Sequence, residues 1–543
     1  MKTSLLLAAL TVLASCAYKN KEADLVVHNA HIITLDSVEH VYEALAVKDG
    51  RIVELGPEQQ ILNRYRAKES YDAAGRTVYP GFIDGHCHFL GYGLNKQKVD
   101  LSGVKWMDKM MDRVRAYAKA HPERKWIIGR GWDQNLWPMQ VYPDNALLNQ
   151  EFPDKPVLLQ RIDGHAALVN DAALRAVGLD VNEPIAGGQL LKVNGKFTGI
   201  LIDNAVNVFQ KIFDDADEAA KRQALLDAQR DCFNAGLTMV CDAGLDAGTI
   251  DLIQKMQAEG ALKMRVYAMV TDKPEDLERF TGGPVITDRL IVRAVKAYAD
   301  GALGSRGALL LQPYSDVGGG QHGLQLATRE HFVGTARWCK QHGFQMATHC
   351  IGDSAARLLL GVYGEVLGGS NDLRWRIEHA QCVDPVDLQL FRRYTIIPSV
   401  QPTHATSDMA WAIGRIGPER LKYAYAYKSL LQQNGLLALG TDFPVEGIDP
   451  LMTFYAAVVR KNADGLPANG FQPENALSRD QALRGMTIWN ALATFTENDL
   501  GTLEVGKRAD LTVVDRDLLR TSDDGLRKAK VVATFVNGER VDR

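Results

Sequence analysis

Along the middle of this chain, short apolar runs of strand length alternate with stretches of helical period, and few folds accommodate that pattern. The strand-like runs occupy 78–83, 238–241, 265–270, 291–298, 344–349, 374–379, 396–400 and 436–441. Amphipathic stretches at 249–257, 328–341, 353–366, 385–393 and 450–461 follow several of them. A parallel return between strands needs a long crossover, usually a helix, so the alternation implies a parallel sheet. Eight such strands closing on themselves predict an α/β fold, the (β/α)8 TIM barrel, whose chemistry sits at the C-terminal strand ends. The interval of about 101–216 is too long for a connection and has strand-like runs of its own at 126–129 and 156–160. It reads as an inserted α+β subdomain over the barrel mouth. Short strands at 24–56, with Asp49-Gly50 as a hairpin turn, are answered at the other end by 509–514, 531–536 and Asn537-Gly538. The expected organisation is therefore a barrel over 80–500 flanked by a small β-sandwich domain formed from both chain ends, 24–79 and 501–543.

The N-terminus has the form of an export signal, with Lys2, an apolar run from Leu5 to Leu13 and small residues before Cys16. The run is too short to span a bilayer as a mature helix. Leu13-Ala14-Ser15-Cys16 resembles a bacterial lipobox, which makes 1–15 a signal peptide, Cys16 a lipidated N-terminus and 16–23 a tether. The expectation is an exported protein of the cell envelope, held at a bacterial membrane by its lipid. With 62 basic against 66 acidic residues, no strong field directs the chain to nucleic acid. None of the other six cysteines forms a Cys-x-x-Cys pair, and several lie in apolar strands, so free buried thiols are expected.

Functional chemistry concentrates in Pro80-Gly81-Phe82-Ile83-Asp84-Gly85-His86-Cys87-His88. In an extended chain residues i and i+2 share a face, so His86 and His88 can present both imidazoles to one ion. The fourth strand carries Lys296, the fifth ends in His349, the sixth in His379, and the eighth leads into Gly440-Thr441-Asp442. Taken singly, a strand-end histidine serves well as a hydrogen-bonded core residue, and Asp442 as a helix cap. Together they outline nitrogen and oxygen donors without thiolate, a set suited to zinc, manganese or iron. Lys296 either extends its amine from an apolar strand to a partner such as Asp300 or faces the pocket. Desolvation and nearby cations would there favour a neutral amine, able to add CO₂ as a carbamate. Arg306, His165, Asp203, Trp132 (with Trp137) and His404 are candidate substrate-binding residues, each with an equally plain structural use.

These stretches, with Asp163-Gly164-His165-Ala166, His349-Cys350-Ile351-Gly352-Asp353, Glu378-His379-Ala380-Gln381 and Gly440-Thr441-Asp442-Phe443-Pro444, resemble the amidohydrolase superfamily. Within it, the likeness is to amidohydrolase family 3, the YtcJ-like and formamide-deformylase-like group. The resemblance implies that His86, His88 and Asp442 hold one divalent metal, zinc or else manganese or iron, and that His349 and His379 hold a second. It implies that a carboxylated Lys296 bridges the two, and that Asp442 moves the proton while metal-activated hydroxide cleaves the C–N bond of a small amide or formamide. A deaminase or dipeptidase of the same superfamily is the nearest alternative, and a surface lipoprotein that binds a metal or small molecule without turnover is the alternative from another class. A homodimer stays open.

Overall fold

A computed structural model of the chain describes residues 21–38, 40–213 and 216–542. Cys16 and the stretch read as an export signal lie outside the described residues. The largest sheet holds eight parallel strands: β1 (Phe82–Cys87), β2 (Leu237–Leu245), β3 (Arg265–Thr271), β4 (Leu290–Tyr298), β5 (Gln345–Cys350), β6 (Arg376–His379), β7 (Ile397–Val400) and β8 (Ala438–Leu439). They pair in chain order from β1 to β8. The seam between β8 and β1 is joined by backbone bonds just beyond the strands: Asp442 N–H donates to the His86 carbonyl and His88 N–H to the Phe443 carbonyl, both at 2.8 Å. Lower in the seam, Asn490 Nδ2 donates to the carbonyls of Ile83 at 2.6 Å and Leu439 at 2.8 Å. The expected (β/α)8 architecture is thus present.

The strands read as unbroken apolar runs because both of their faces are covered, by the barrel interior and by the helices outside. All residues of β1 and β5 are buried. The outer helices start and stop where local chemistry dictates. In Arg329–His342, Thr328 accepts from the His331 N–H at the start, and Gly343 adopts a left-handed φ of 75° at the end.

One expected strand proves to be two. Thr77–Pro80 pairs antiparallel with Leu511–Val514 and parallel with His31–Ile33, and the chain crosses into β1 at Gly81. A Cβ at Gly81 would stand 2.3 Å from Thr238 Oγ1, so the backbone must pass hard against β2 at this point. The break is invisible in hydropathy because each sheet buries its own part of the run.

Both chain ends build the sandwich. One sheet has Lys21–His28, Ala44–Lys48, Arg51–Gly56 and Tyr65–Asp72; the other combines His31–Ile33, Val41–Tyr42 and Thr77–Pro80 with Leu511–Val514, Val531–Val536 and Glu539–Arg540. Leu25, Val47, Val78, Leu511 and Phe535 share their core. The first strand starts at Lys21, inside the stretch read as a tether, and pairs with Tyr65–Asp72 from its first residue. The insert carries a six-stranded sheet of its own, from Val99–Asp100 through Ile127–Trp132 and Val157–Arg161 to Lys196–Asp203. Cys87, Cys232, Cys241, Cys339, Cys350 and Cys382 are free and buried, as expected.

Candidate metal centre at the strand ends

The C-terminal strand ends and the insert enclose a cavity of about 930 Å³ whose walls include His88, His165, Lys296, His349, His379 and Asp442. His86 is fixed first. Its Nδ1 lies 2.5 Å from Glu378 Oε2, which leaves Nε2 turned toward Lys296 and Asp442. Glu378 is in turn held by Arg376, whose Nε lies 2.6 Å from Oε1 and whose Nη2 donates to Oε2 at 2.9 Å. The same Nη2 donates to the Gly85 carbonyl at 2.6 Å and to Ser399 Oγ at 2.7 Å, so the carboxylate, the guanidinium and three strands lock together. A histidine oriented by a carboxylate on its far nitrogen is the arrangement metal-ligating imidazoles adopt. Asp84 completes the support, accepting from the backbone N–H groups of His86 and Thr441 and from Thr441 Oγ1.

Asp442 stands at the centre. Oδ1 lies 3.3 Å from His88 Nε2 and 3.7 Å from His86 Nε2, while Oδ2 lies 3.1 Å from His404 Nε2. His404 is braced from behind by Glu446 at 2.9 Å. Two donor groups result, His86/His88/Asp442 and His379/His404/Asp442, each with ligand atoms within 4.8 Å of one another. Asp442 belongs to both. Lys296 Nζ is 3.4 Å from His86 Nε2. The His349 ring packs 4.6 Å from that of His379, with Nε2 3.5 Å from the Gly301 carbonyl and 3.7 Å from Asp300. The backbone at the site is held in a left-handed conformation at His379 (φ 69°), Ala380 (φ 40°) and Asp442 (φ 63°). Strain of this kind costs about 1–3 kcal/mol per residue and persists where function demands it.

Electrostatics prepare the donors. Burial pushes His86 down to about 4, aided by the Lys296 charge. Burial and neighbouring imidazoles hold His349 and His379 well below the ordinary histidine range. All three therefore keep a free lone pair at neutral pH. Burial works against an ionised Asp442, yet the hydrogen bond from His404 and the adjacent imidazoles of His88 and His86 prevail and hold it well below the usual carboxylate range. Asp442 Oδ1 and His379 Nδ1 are buried without a hydrogen-bond partner. Orphaned acceptors converging with neutral imidazoles fit a divalent metal of the zinc class.

The insert contributes His165 and Asp203, joined at 2.8 Å from Nδ1 to Oδ1, with the His165 ring 5.0 Å from that of His349. Asp203 also docks the insert on the barrel. A Cβ at Gly301 or Gly307 would fall 2.2 or 2.1 Å from its carboxylate oxygens, so that loop must be glycine where the carboxylate seats. Two expectations are corrected. Trp132 is fully buried in the insert core and donates to the Leu159 carbonyl at 2.8 Å, so it fills space instead of lining the cavity. Arg306 is clamped by both oxygens of Asp316 at 3.2 and 2.9 Å, and its fork is spent on that loop contact. Glu378 went unread in the sequence. Its signal was Arg376-x-Glu378, two charges on one face of an apolar strand, which burial obliges to pair.

Residues 69–542 match the model of the amidohydrolase family. The chain belongs to the amidohydrolase family. The Bacillus subtilis (strain 168) protein designated amidohydrolase YtcJ is 32% identical over 525 residues, covering 94% of this chain and 98% of its own. The N-substituted formamide deformylase of Arthrobacter pascens is 26% identical over 540 residues, covering 95% and 97%. Among solved structures, an uncharacterized metal-dependent hydrolase from Pyrococcus horikoshii OT3 superposes with a TM-score of 0.75 at 28% identity, over 92% of this chain and 99% of that one. This amidohydrolase is accordingly a metal-dependent hydrolase acting on a small molecule.

Proposed function

We propose that this amidohydrolase cleaves the carbon–nitrogen bond of a small amide or formamide. The observation that carries the reading is Asp442 Oδ1, an ionised, buried and unpartnered oxygen between the imidazoles of His86 and His88 in a cavity large enough for a small molecule. His86, His88 and Asp442 would hold one divalent ion, and His349 and His379 a second. A divalent ion so held supplies Lewis-acid polarisation and makes water acidic near neutral pH.

The rest falls to the protein's own groups. Asp442 accepts the proton of the attacking water and returns it to the departing nitrogen, so that amine leaves and carboxylate remains. His404, anchored by Glu446, keeps the second oxygen of Asp442 engaged and its first one turned to the pocket. The likeness to a formamide deformylase supports N-formyl compounds within the class. Metal-loaded protein screened against N-formyl, N-acyl, dipeptide and cyclic amide compounds should release amine from at least one subset; no release from any would refute the reading.

Lys296 is assigned to carbamate formation. Burial pushes its amine down to about 8, so the neutral form grows as pH rises through that value. The amine adds CO₂ by forming an N–C bond and releasing one proton, which gives an anionic oxygen donor beside His86. Lys296→Ala should lose activity by about 10²-fold or more, with partial rescue by acetate or formate, and wild type reconstituted with bicarbonate at pH 8.5 should gain more activity than at pH 6.5. Full activity of Lys296→Ala without any additive would remove the carbamate.

A further inference from the structure

The cavity holds a cation that the proposed chemistry leaves unused. Arg130 lines it from the insert strand Ile127–Trp132, whose register against Val157–Arg161 slips between Arg130 and Trp132. The bulge is built on Gly131, at φ 118°, where a Cβ would lie 2.6 Å from Ser102 Oγ. Bulges of this kind bend a strand and redirect a side chain, and this one sits beside the cavity. One edge of the guanidinium is then fixed, with Nε and Nη2 donating to the Ile162 carbonyl at 3.3 and 3.0 Å.

Among the described residues, no carboxylate comes within ion-pair distance of Arg130, unlike the other arginines of this region. Arg161 pairs with Asp133 and Asp163, and Arg306 and Arg415 share Asp316. The nearby acids are equally engaged, Asp203 by His165 and Asp272 by His331. Burial is the main pressure on the Arg130 charge and lowers its pKa, yet a guanidinium stays protonated in proteins. A half-buried cation with one edge satisfied by a neutral carbonyl retains a strong attraction for an anion. The same walls carry Asp133, Asp163, Asp246 and Asp408, so a monoanion suits them better than a phosphate dianion.

We infer that Arg130 anchors a carboxylate on the substrate, which makes the substrate an amide of an amino acid type, such as an N-acyl or N-formyl amino acid. The inference rests on the amide hydrolysis proposed above and names a class within it. The test compares N-formyl-phenylalanine and N-acetyl-phenylalanine, as both enantiomers, with their carboxamides on the metal-loaded full chain, by equilibrium binding and by amine release. The acid of at least one pair should bind roughly tenfold or more tightly than its carboxamide. Arg130→Met should bring that pair to within about twofold, and Arg130→Lys, which keeps the charge, should retain part of the preference. Equal affinity of acid and carboxamide in wild type, absent binding of both included, would overturn the anchor, as would a preference that survives in Arg130→Met. Failure of amine release with the acid preference intact would instead reject the hydrolytic reading and leave the anchor standing. The wild-type comparison needs no variant, so misfolding of Arg130→Met would not shield the inference.

Discussion

Asp442→Asn should lower kcat for any amide substrate by about 10²–10⁴-fold while the chain folds normally. Asparagine is the informative replacement because residue 442 sits at φ 63°, a left-handed conformation that Asn tolerates and most side chains resist. The amide keeps the size of the carboxylate and can still meet His404 Nε2, which lies 3.1 Å from Oδ2 in the wild type. What it loses is the ionised Oδ1 facing His86 and His88 and the capacity to take up a proton. Amine release and a thermal midpoint measured on the same preparation separate the two effects. A kcat within tenfold of wild type would show that another group carries the proton.

Arg376→Met should destabilise the fold by about 3–5 kcal/mol, the cost of leaving a buried charge without its partner. Arg376 and Glu378 are both fully buried. Burial disfavours the Glu378 charge, and Arg376 and then His86 overcome that penalty and hold its carboxyl well below the ordinary range. Without the guanidinium, Glu378 either loses its ionisation or pulls in water, and in both cases His86 loses its orienting partner. Adding Glu378→Gln should recover part of the stability without recovering activity, because the uncompensated charge goes while the hold on His86 stays weakened. Urea unfolding of the single and double variants decides this. A loss below 1 kcal/mol in Arg376→Met would mean that water or a rearranged partner takes the place of the arginine.

The barrel was legible in the sequence because its strands are buried on both faces and stand out as apolar runs separated by helical stretches. What hydropathy could not show was the change of sheet at Gly81, where an apolar run continues although its hydrogen-bonding partners differ. The placement of His86 and His88 together followed from a two-residue period, and Asp442 from its position after the last strand. The pairing of side chains distant in sequence was hidden. Arg306 and Arg130 look alike as residues, yet Asp316 neutralises the first and, among the described residues, no carboxylate comes within ion-pair distance of the second. Trp132 and His165 lie in one inserted segment, but one points into a core and the other into the cavity. His404, a candidate for orienting substrate or for supporting the site, lies 3.1 Å from the central carboxylate.

The seam of the barrel has a consequence for when this enzyme becomes an enzyme. His86 and His88 emerge early in synthesis, whereas the acid that completes their set arrives only with the final turn of the cylinder, whose backbone then bonds to theirs. A nascent or truncated chain that ends before Thr441 holds every imidazole of the pocket but lacks the carboxylate shared by the two donor groups. On the proposed role of Asp442, hydrolytic competence is tied to finishing the ring, and a chain stopped short of it should be inert.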